Sequence, residues 1–276
     1  MDVPTHVDLI VTHGGCPDGF TAEWLLHQRW PDARCHQAVY GEDIADLVLF
    51  ANTGGIRDVG DPGPSVMVMA DFSYPLDVMR TLAAAWDRII LLDHHATAVE
   101  ALDGHLPDNV EAEFDMNRSG AGLVADWLNV RAPESARDEA RSRSGFHGLR
   151  LVDYIEERDL WRHEGPTPLP NAREIDAVIL ATPRTYEQWD RLNRRLRMGQ
   201  IAFDAVVSEG AVILDYREVL VADIVANPRW KWIGDFRVPV VPCPYALGSQ
   251  VPGRLAETHH GIGGYYRDLP DRRKYG

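Results

Sequence analysis

Short, unbroken apolar runs that each deliver a polar, chemistry-bearing residue and then give way to a helical stretch constrain this chain more than any other feature. Val7-Asp8-Leu9-Ile10-Val11-Thr12 delivers His13, followed by Gly14-Gly15-Cys16-Pro17-Asp18-Gly19 and a helical stretch from Phe20 to Trp30. Ser65-Val66-Met67-Val68-Met69-Ala70 delivers Asp71, followed by Phe72-Ser73-Tyr74-Pro75 and another helical stretch. Arg88-Ile89-Ile90-Leu91-Leu92 delivers Asp93-His94-His95. Runs of this length, apolar on both faces, read as buried parallel strands, and their alternation with helices reads as βαβ units. Strands expected near Ala33 to Tyr40 and Val110 to Phe114 extend the alternation from Val7 to Leu128. The expected fold class is therefore α/β with a parallel amino-terminal sheet.

In an open parallel sheet the carboxyl ends of the strands share one edge, where ligands bind. His13, Asp18, Asp71, Asp93, His94 and His95 then face one crevice although they are far apart in sequence. Carboxylates mixed with imidazoles suit a metal ion or a phosphate. Oxygen-rich donors fit Mn²⁺ or Mg²⁺ better than a structural zinc, which prefers thiolates and a closed cage.

Taken in order, His13-Gly14-Gly15-Cys16-Pro17-Asp18-Gly19, Ala70-Asp71-Phe72-Ser73-Tyr74, Asp93-His94-His95 and Asp159 in Tyr154-Ile155-Glu156-Glu157-Arg158-Asp159-Leu160-Trp161 resemble the metal motifs of the DHH phosphoesterase superfamily. The resemblance runs from the amino terminus to Ala172-Arg173-Glu174-Ile175. It implies a hydrolase of phosphodiester, phosphomonoester or phosphoanhydride bonds that uses two Mn²⁺ ions, with Mg²⁺ as an alternative. It also implies an active site in the cleft between a DHH domain and a smaller mixed α/β domain of the DHHA1 type. The expected layout is a DHH domain over 1–190 with a surface helix or connector at 131–150, a helical linker over 191–212, and an abbreviated DHHA1-like domain over 213–276. Two departures stand out. Cys16 occupies a place where many members carry an acid, and the chain reaches Gly276 without the Gly-Gly-Gly-His segment of members that act on oligonucleotides.

Under that resemblance His13, Asp18, Asp71, His94 and Asp159 hold the ions, with Asp71 bridging. Cys16 is a further ligand, a redox-sensitive thiol, or a buried small residue beneath the Gly14-Gly15 turn. Asp93 and His95 are the catalytic pair, Asp93 orienting an imidazole and His95 meeting the phosphate or protonating the leaving group. Arg118-Ser119-Gly120 opens a helix from Gly122 to Leu128 and offers either phosphate-binding N–H groups or a plain serine cap. Arg158 either clamps a phosphate or pairs with Glu156 or Glu157. The tryptophans at 24, 30, 86, 127 and 161 read as core, while Trp230 and Trp232 around Lys231 form the one aromatic-basic cluster.

A net charge of −14 and only two lysines, Lys231 and Lys274, argue against a long duplex partner, which would require a basic stripe to displace counterions. Arginine supplies the remaining positive charge and is suited to bidentate phosphate contacts in a small pocket. A short oligonucleotide or small phosphorylated molecule is the expected partner. No membrane partner is expected, and a homodimer is compatible. The cysteines at 16, 35 and 243 are too few and too scattered for a disulfide framework, which points to a reducing, cytoplasmic setting. In the later part, 175–207 reads as helical, Arg217 to Val225 and Ile233 to Val241 read as strands, and Gly248 to Glu257 reads as a helix. Two other functions stay open. One is a pyrophosphate or polyphosphate hydrolase using Arg229, Lys231 and Arg254, and the other is a nucleotide-binding protein without activity.

Overall fold

The computed structural model describes residues 1–52, 63–131, 150–259, 261–268 and 273–276. The expected connector therefore lies outside the described residues except at its ends, as do His260 and the Asp271-Arg272 pair. The chain divides into two compact units, Met1–Gly210 and Ala211–Gly276.

The first unit is built on a parallel five-stranded sheet in the order β2-β1-β3-β4-β5. Its strands are β1 (Leu9–His13), β2 (Arg34–Ala38), β3 (Val66–Ala70), β4 (Arg88–Asp93) and β5 (Val110–Phe114). Helices α1 (Pro17–Arg29), α2 (Ala45–Asn52), α3 (Leu76–Ala85), α4 (Ala96–Leu102) and α5 (Gly120–Trp127) lie between and after them. The three central strands are the apolar runs of the sequence. On one face, Leu9, Val11, Met67, Met69, Ile89 and Leu91 pack with Leu47, Met79, Leu82 and Leu102 into a buried core. Strand order reverses between β1 and β3, and such a switch point opens a crevice at the carboxyl edge. Register completes the arrangement: Thr12 pairs with Ala70 and Ala70 with Leu92, so His13, Asp71 and Asp93 follow on one row.

α6 (Leu151–Asp159) packs on α1 and α5, and α7 (Ala172–Ala181), α8 (Tyr186–Arg197) and α9 (Gln200–Val225) follow in the chain. The single helical stretch expected from 175 to 207 is thus broken. The Thr185 hydroxyl caps α8, and Gly199 takes a φ of 113° before α9 begins. Two starts differ from expectation. Cys16 caps α1 so that Pro17 opens it, and Ser119 caps α5 so that Gly120 opens it. Proline tolerates the first helical position because no partner exists there for its missing N–H. Among the described residues α6 starts at Leu151, and residues 132–149 are outside them.

The second unit holds a four-stranded sheet, β6 (Arg229–Ile233), β7 (Phe236–Pro242), β8 (Gly264–Asp268) and β9 (Arg273–Tyr275), with α10 (Gln250–His259). The strand expected at Arg217–Val225 is instead the end of α9. Its apolar residues Leu220, Val221, Ile224 and Val225 fall one helical turn apart and pack with Val241, Leu247, Val251 and Leu255, so tertiary burial overrides the β preference of valine. The stretch expected as one strand from Ile233 is a hairpin, turned at Gly234 with a φ of 57°. Near the carboxyl end, Arg273–Tyr275 supplies β9. No helix among the described residues is long and apolar enough to cross a membrane.

Candidate metal centre

His13 ends β1, and the chain turns back at once to start α1 above it. That return depends on Gly19, because a Cβ there would come within 2.2 Å of the His13 carbonyl oxygen. Asp71 follows β3 with a φ of 58°, a left-handed backbone that Asp tolerates better than most residues. Its N–H donates to the Leu92 carbonyl at 3.0 Å, which locks the turn to β4. α5 then presses its first residue onto this turn. A Cβ on Gly120 would sit 2.3 Å from the Asp71 Cβ, so only glycine fits.

The side chains meet closely. His94 Nε2 lies 3.1 Å from Asp71 Oδ1 and 3.5 Å from Oδ2 of Asp159, the last residue of α6. Cys16 Sγ lies 3.3 Å from Asp71 Oδ2 and 3.5 Å from His13 Nδ1, which is itself 3.8 Å from Asp71 Oδ2. Three overlapping groups result, each with donor atoms within 4.8 Å of one another: His13, Cys16 and Asp71; Asp71, His94 and His95; Asp18, His94 and Asp159. All five residues expected to hold ions, and Cys16, are brought together.

Electrostatically this is a crowded anionic pocket. Burial and then Asp159 raise the Asp71 carboxyl to about 7, and burial with Asp71 and Asp159 pushes Asp18 well above the carboxylate range. Burial, Asp71 and Asp18 raise the Cys16 thiol. The main charges acting on these groups are other carboxylates and imidazoles, with no lysine or arginine among them. Burial and the neighbouring His95 lower His13 and favour its neutral, donor form. A donor set of three carboxylates, two or three imidazoles and one thiol, held together against its own repulsion, fits a divalent cation.

Asp93 is fully buried. Its Oδ1 accepts from the His94 N–H at 2.7 Å, the His95 N–H at 3.2 Å and the His95 ring Nδ1 at 2.7 Å. Burial works against the Asp93 charge, but the His95 ring bond, the His95 charge, Ser73 and the His95 N–H together outweigh it and keep the carboxyl low. The same bond raises His95 to about 9. Asp93 therefore acts through His95, whose ring is about one-third exposed at 34%.

The expected substrate contacts are redirected. Ser119 is buried and accepts from the Gly122 N–H at 3.1 Å, so it is a cap. The free amides of Gly120 and Ala121 donate to the two oxygens of Asp18 at 2.7 and 3.2 Å. The helix terminus thus holds a protein carboxylate, and of the two readings of this segment the plain serine cap is the one seen. Arg118 donates to Asp126 at 2.8 Å. Arg158 pairs with Asp176 at 2.7 Å, a close ion pair without hydrogen-bond alignment, and not with Glu156 or Glu157.

Several participants escaped the sequence reading. Tyr40, just past β2, is exposed, yet its ring lies 5.8 Å from His13 and 4.8 Å from Phe72. A strand-end aromatic next to Gly41 was the available signal. Behind the site, Tyr74 donates to Glu42, which also meets His36 Nε2 at 2.9 Å. Arg131, buried, forks onto Glu156, whose Oε2 accepts from the Ser119 N–H at 3.3 Å. Trp161, expected in the core, is 64% exposed with a left-handed φ of 54°.

No family model matches the chain. It is 19% identical over 232 residues to the uncharacterized protein R106 of Acanthamoeba polyphaga mimivirus, across 81% of this chain and 48% of that protein. The chain thus spans about half the length of that curated relative. A crystal structure of an uncharacterized protein from Helicobacter pylori G27 aligns with a TM-score of 0.49 and 13% identity, over 95% of this chain and 83% of that one.

Proposed function

We propose that the chain is a divalent-metal-dependent phosphoesterase of the DHH type, hydrolysing phosphodiester or phosphomonoester bonds of short oligonucleotides or small nucleotides. The observation that carries this is the sharing of donors. Asp71 belongs to two of the three overlapping groups and His94 to two, the arrangement a pair of neighbouring ions requires. His13, Cys16 and Asp71 would hold one Mn²⁺ or Mg²⁺, and Asp18, His94 and Asp159 the other. When bound, the ions would supply an acidified water for attack on phosphorus and neutralise charge on the phosphate.

The protein's own groups do the remainder. His95, protonated near neutral pH and anchored by Asp93 through Nδ1, presents Nε2–H to a phosphoryl or leaving oxygen. The bond to Asp93 fixes which nitrogen carries the outward proton. α5 amides hold Asp18 in place, so that its orientation survives when no ion is bound. Tyr40 offers an exposed aromatic face beside His13, which favours a nucleotide over a bare polyphosphate. The polyphosphate alternative draws less support: Arg254 is engaged by Glu218 at 2.8 Å.

The test is turnover of a panel with Mn²⁺: a dinucleotide, a nucleoside 3′,5′-bisphosphate, a cyclic dinucleotide and short polyphosphate. Hydrolysis of one or more of the nucleotides, lost in EDTA, is expected. Hydrolysis of polyphosphate alone would move the function to phosphoanhydrides, and no hydrolysis of any would leave the non-catalytic reading.

A further inference from the structure

At the end of the sheet away from the metal centre, the first unit has an open groove of about 340 Å³. Topology places it there: α1 starts at the centre with Asp18 and reaches the groove with Gln28 and Arg29, while α6 starts at the groove with Arg150 and reaches the centre with Asp159. Thirteen residues of α1 correspond to roughly 20 Å of separation at 1.5 Å per residue.

The lining is unusual for a chain of net charge −14. Three arginines, Arg29, Arg150 and Arg197, converge on the groove from three different helix ends. Among the described residues none of the three has a carboxylate partner. Arg29 lies over the Trp30 ring at 5.3 Å, a contact that leaves its N–H donors unspent. Burial and the neighbouring Arg197 make the Arg150 charge less favourable, with Asp153 opposing them only in part. Asp153 is itself turned to the Arg150 backbone N–H at 2.8 Å and to Arg131 at 3.4 Å. Like charges gathered in this way destabilise the protein unless an anion sits between them. Between the arginines the lining is mixed, with Val3, Leu128 and Val130 supplying apolar surface and Gln28 and Asn193 polar groups.

A concave lining that sets apolar residues beside a few convergent cationic groups, at a volume within the small-ligand range of about 300–1,000 Å³, describes a small-molecule site. Forked guanidinium groups match phosphate oxygens in particular. We propose that this groove binds a small phosphomonoester carrying an apolar body, such as a nucleoside monophosphate, with Arg29, Arg150 and Arg197 on the phosphate and Val3, Leu128 and Val130 against the body. The site is independent of the metal-centre reading.

The experiment titrates AMP by calorimetry, at low salt, into the full chain stripped of metal with EDTA. One AMP should bind per chain, at least about tenfold tighter than inorganic phosphate, because the apolar walls add to the phosphate contacts. Arg197→Ala and Arg29→Ala, both at exposed positions, should each weaken binding by about tenfold or more, roughly the worth of one charge-assisted contact. Asp71→Asn should leave it unchanged. Absence of AMP binding, or equal affinity in both arginine variants, overturns the proposal. Inorganic phosphate binding as tightly as AMP removes the apolar part of it. Binding lost in Asp71→Asn but kept in the arginine variants would put the ligand in the metal centre instead.

Discussion

Replacing Asp71 by Asn should make the metal-free protein more stable while leaving it at most one weak ion site. Asp71 is 2% exposed, and its carboxyl is raised from 3.8 to about 7, first by burial and then by Asp159. Its folded pKa lies above its unfolded value. The charged group therefore costs nothing below about pH 4, costs more as pH rises, and imposes its full penalty above about pH 7. A shift of about three units corresponds to roughly 4 kcal/mol at about 1.4 kcal/mol per unit. Asn keeps the shape and accepts the left-handed backbone at φ 58°. It weakens the contacts to Cys16 and His94, which returns about half of that gain, so about 2 kcal/mol should remain. For a chain of this size that is a rise of about 4–8 °C in melting temperature. Thermal unfolding in EDTA at pH 8 and pH 5 reads it directly. The variant should melt higher at pH 8, with a smaller gap at pH 5, and Mn²⁺ should raise the wild type but not the variant. A lower melting temperature for the variant at pH 8, or a gap independent of pH, would refute the claim that repulsion is stored in this cluster.

Three further outcomes follow from the same geometry. Cys16→Asp should tighten Mn²⁺ binding by about tenfold or more, since a hard ion prefers carboxylate to thiolate, and should lower the metal-free melting temperature by adding another buried charge; unchanged affinity by calorimetry would leave Cys16 as a helix cap only. Gly120→Ala should reduce turnover by about tenfold or more, because the new methyl must displace the Asp71 turn; wild-type kcat in that variant would show that the close approach of α5 is unimportant. Oligonucleotide hydrolysis should fall steeply in kcat/KM from two to twenty nucleotides and depend weakly on salt, and equal rates or a steep salt slope would reveal a basic track.

The residues at the strand ends were legible because chemistry placed there has only one edge to occupy. His13, Asp71 and Asp93 follow paired residues Thr12, Ala70 and Leu92, so knowing that the strands are parallel is nearly enough to bring them together. Asp159 was legible only through its resemblance to a motif, since it reaches the centre from the far end of a helix whose packing the sequence does not announce. The partner of the α5 amides was not legible for a similar reason: the orphan donors of a helix terminus can be filled by any nearby carboxylate, and Asp18 is 102 residues away in the chain. Valines at 219, 221 and 225 suggested a strand, but the neighbouring Leu220 and Ile224 give the segment a helical face once Val251 and Leu255 are there to cover it. Arg150 and Arg197 gave no local signal at all, because nothing in their neighbourhoods in sequence says that they share a groove.

The most direct measurement is the number of divalent ions the centre holds. Mn²⁺ titrated into the EDTA-stripped, dialysed chain should bind at two sites per chain, and Asp71→Asn, which removes the donor shared by two of the three groups, should reduce this to at most one weak site. No Mn²⁺ bound by the wild type at millimolar concentration, or the same stoichiometry in wild type and Asp71→Asn, would contradict a two-ion phosphoesterase centre.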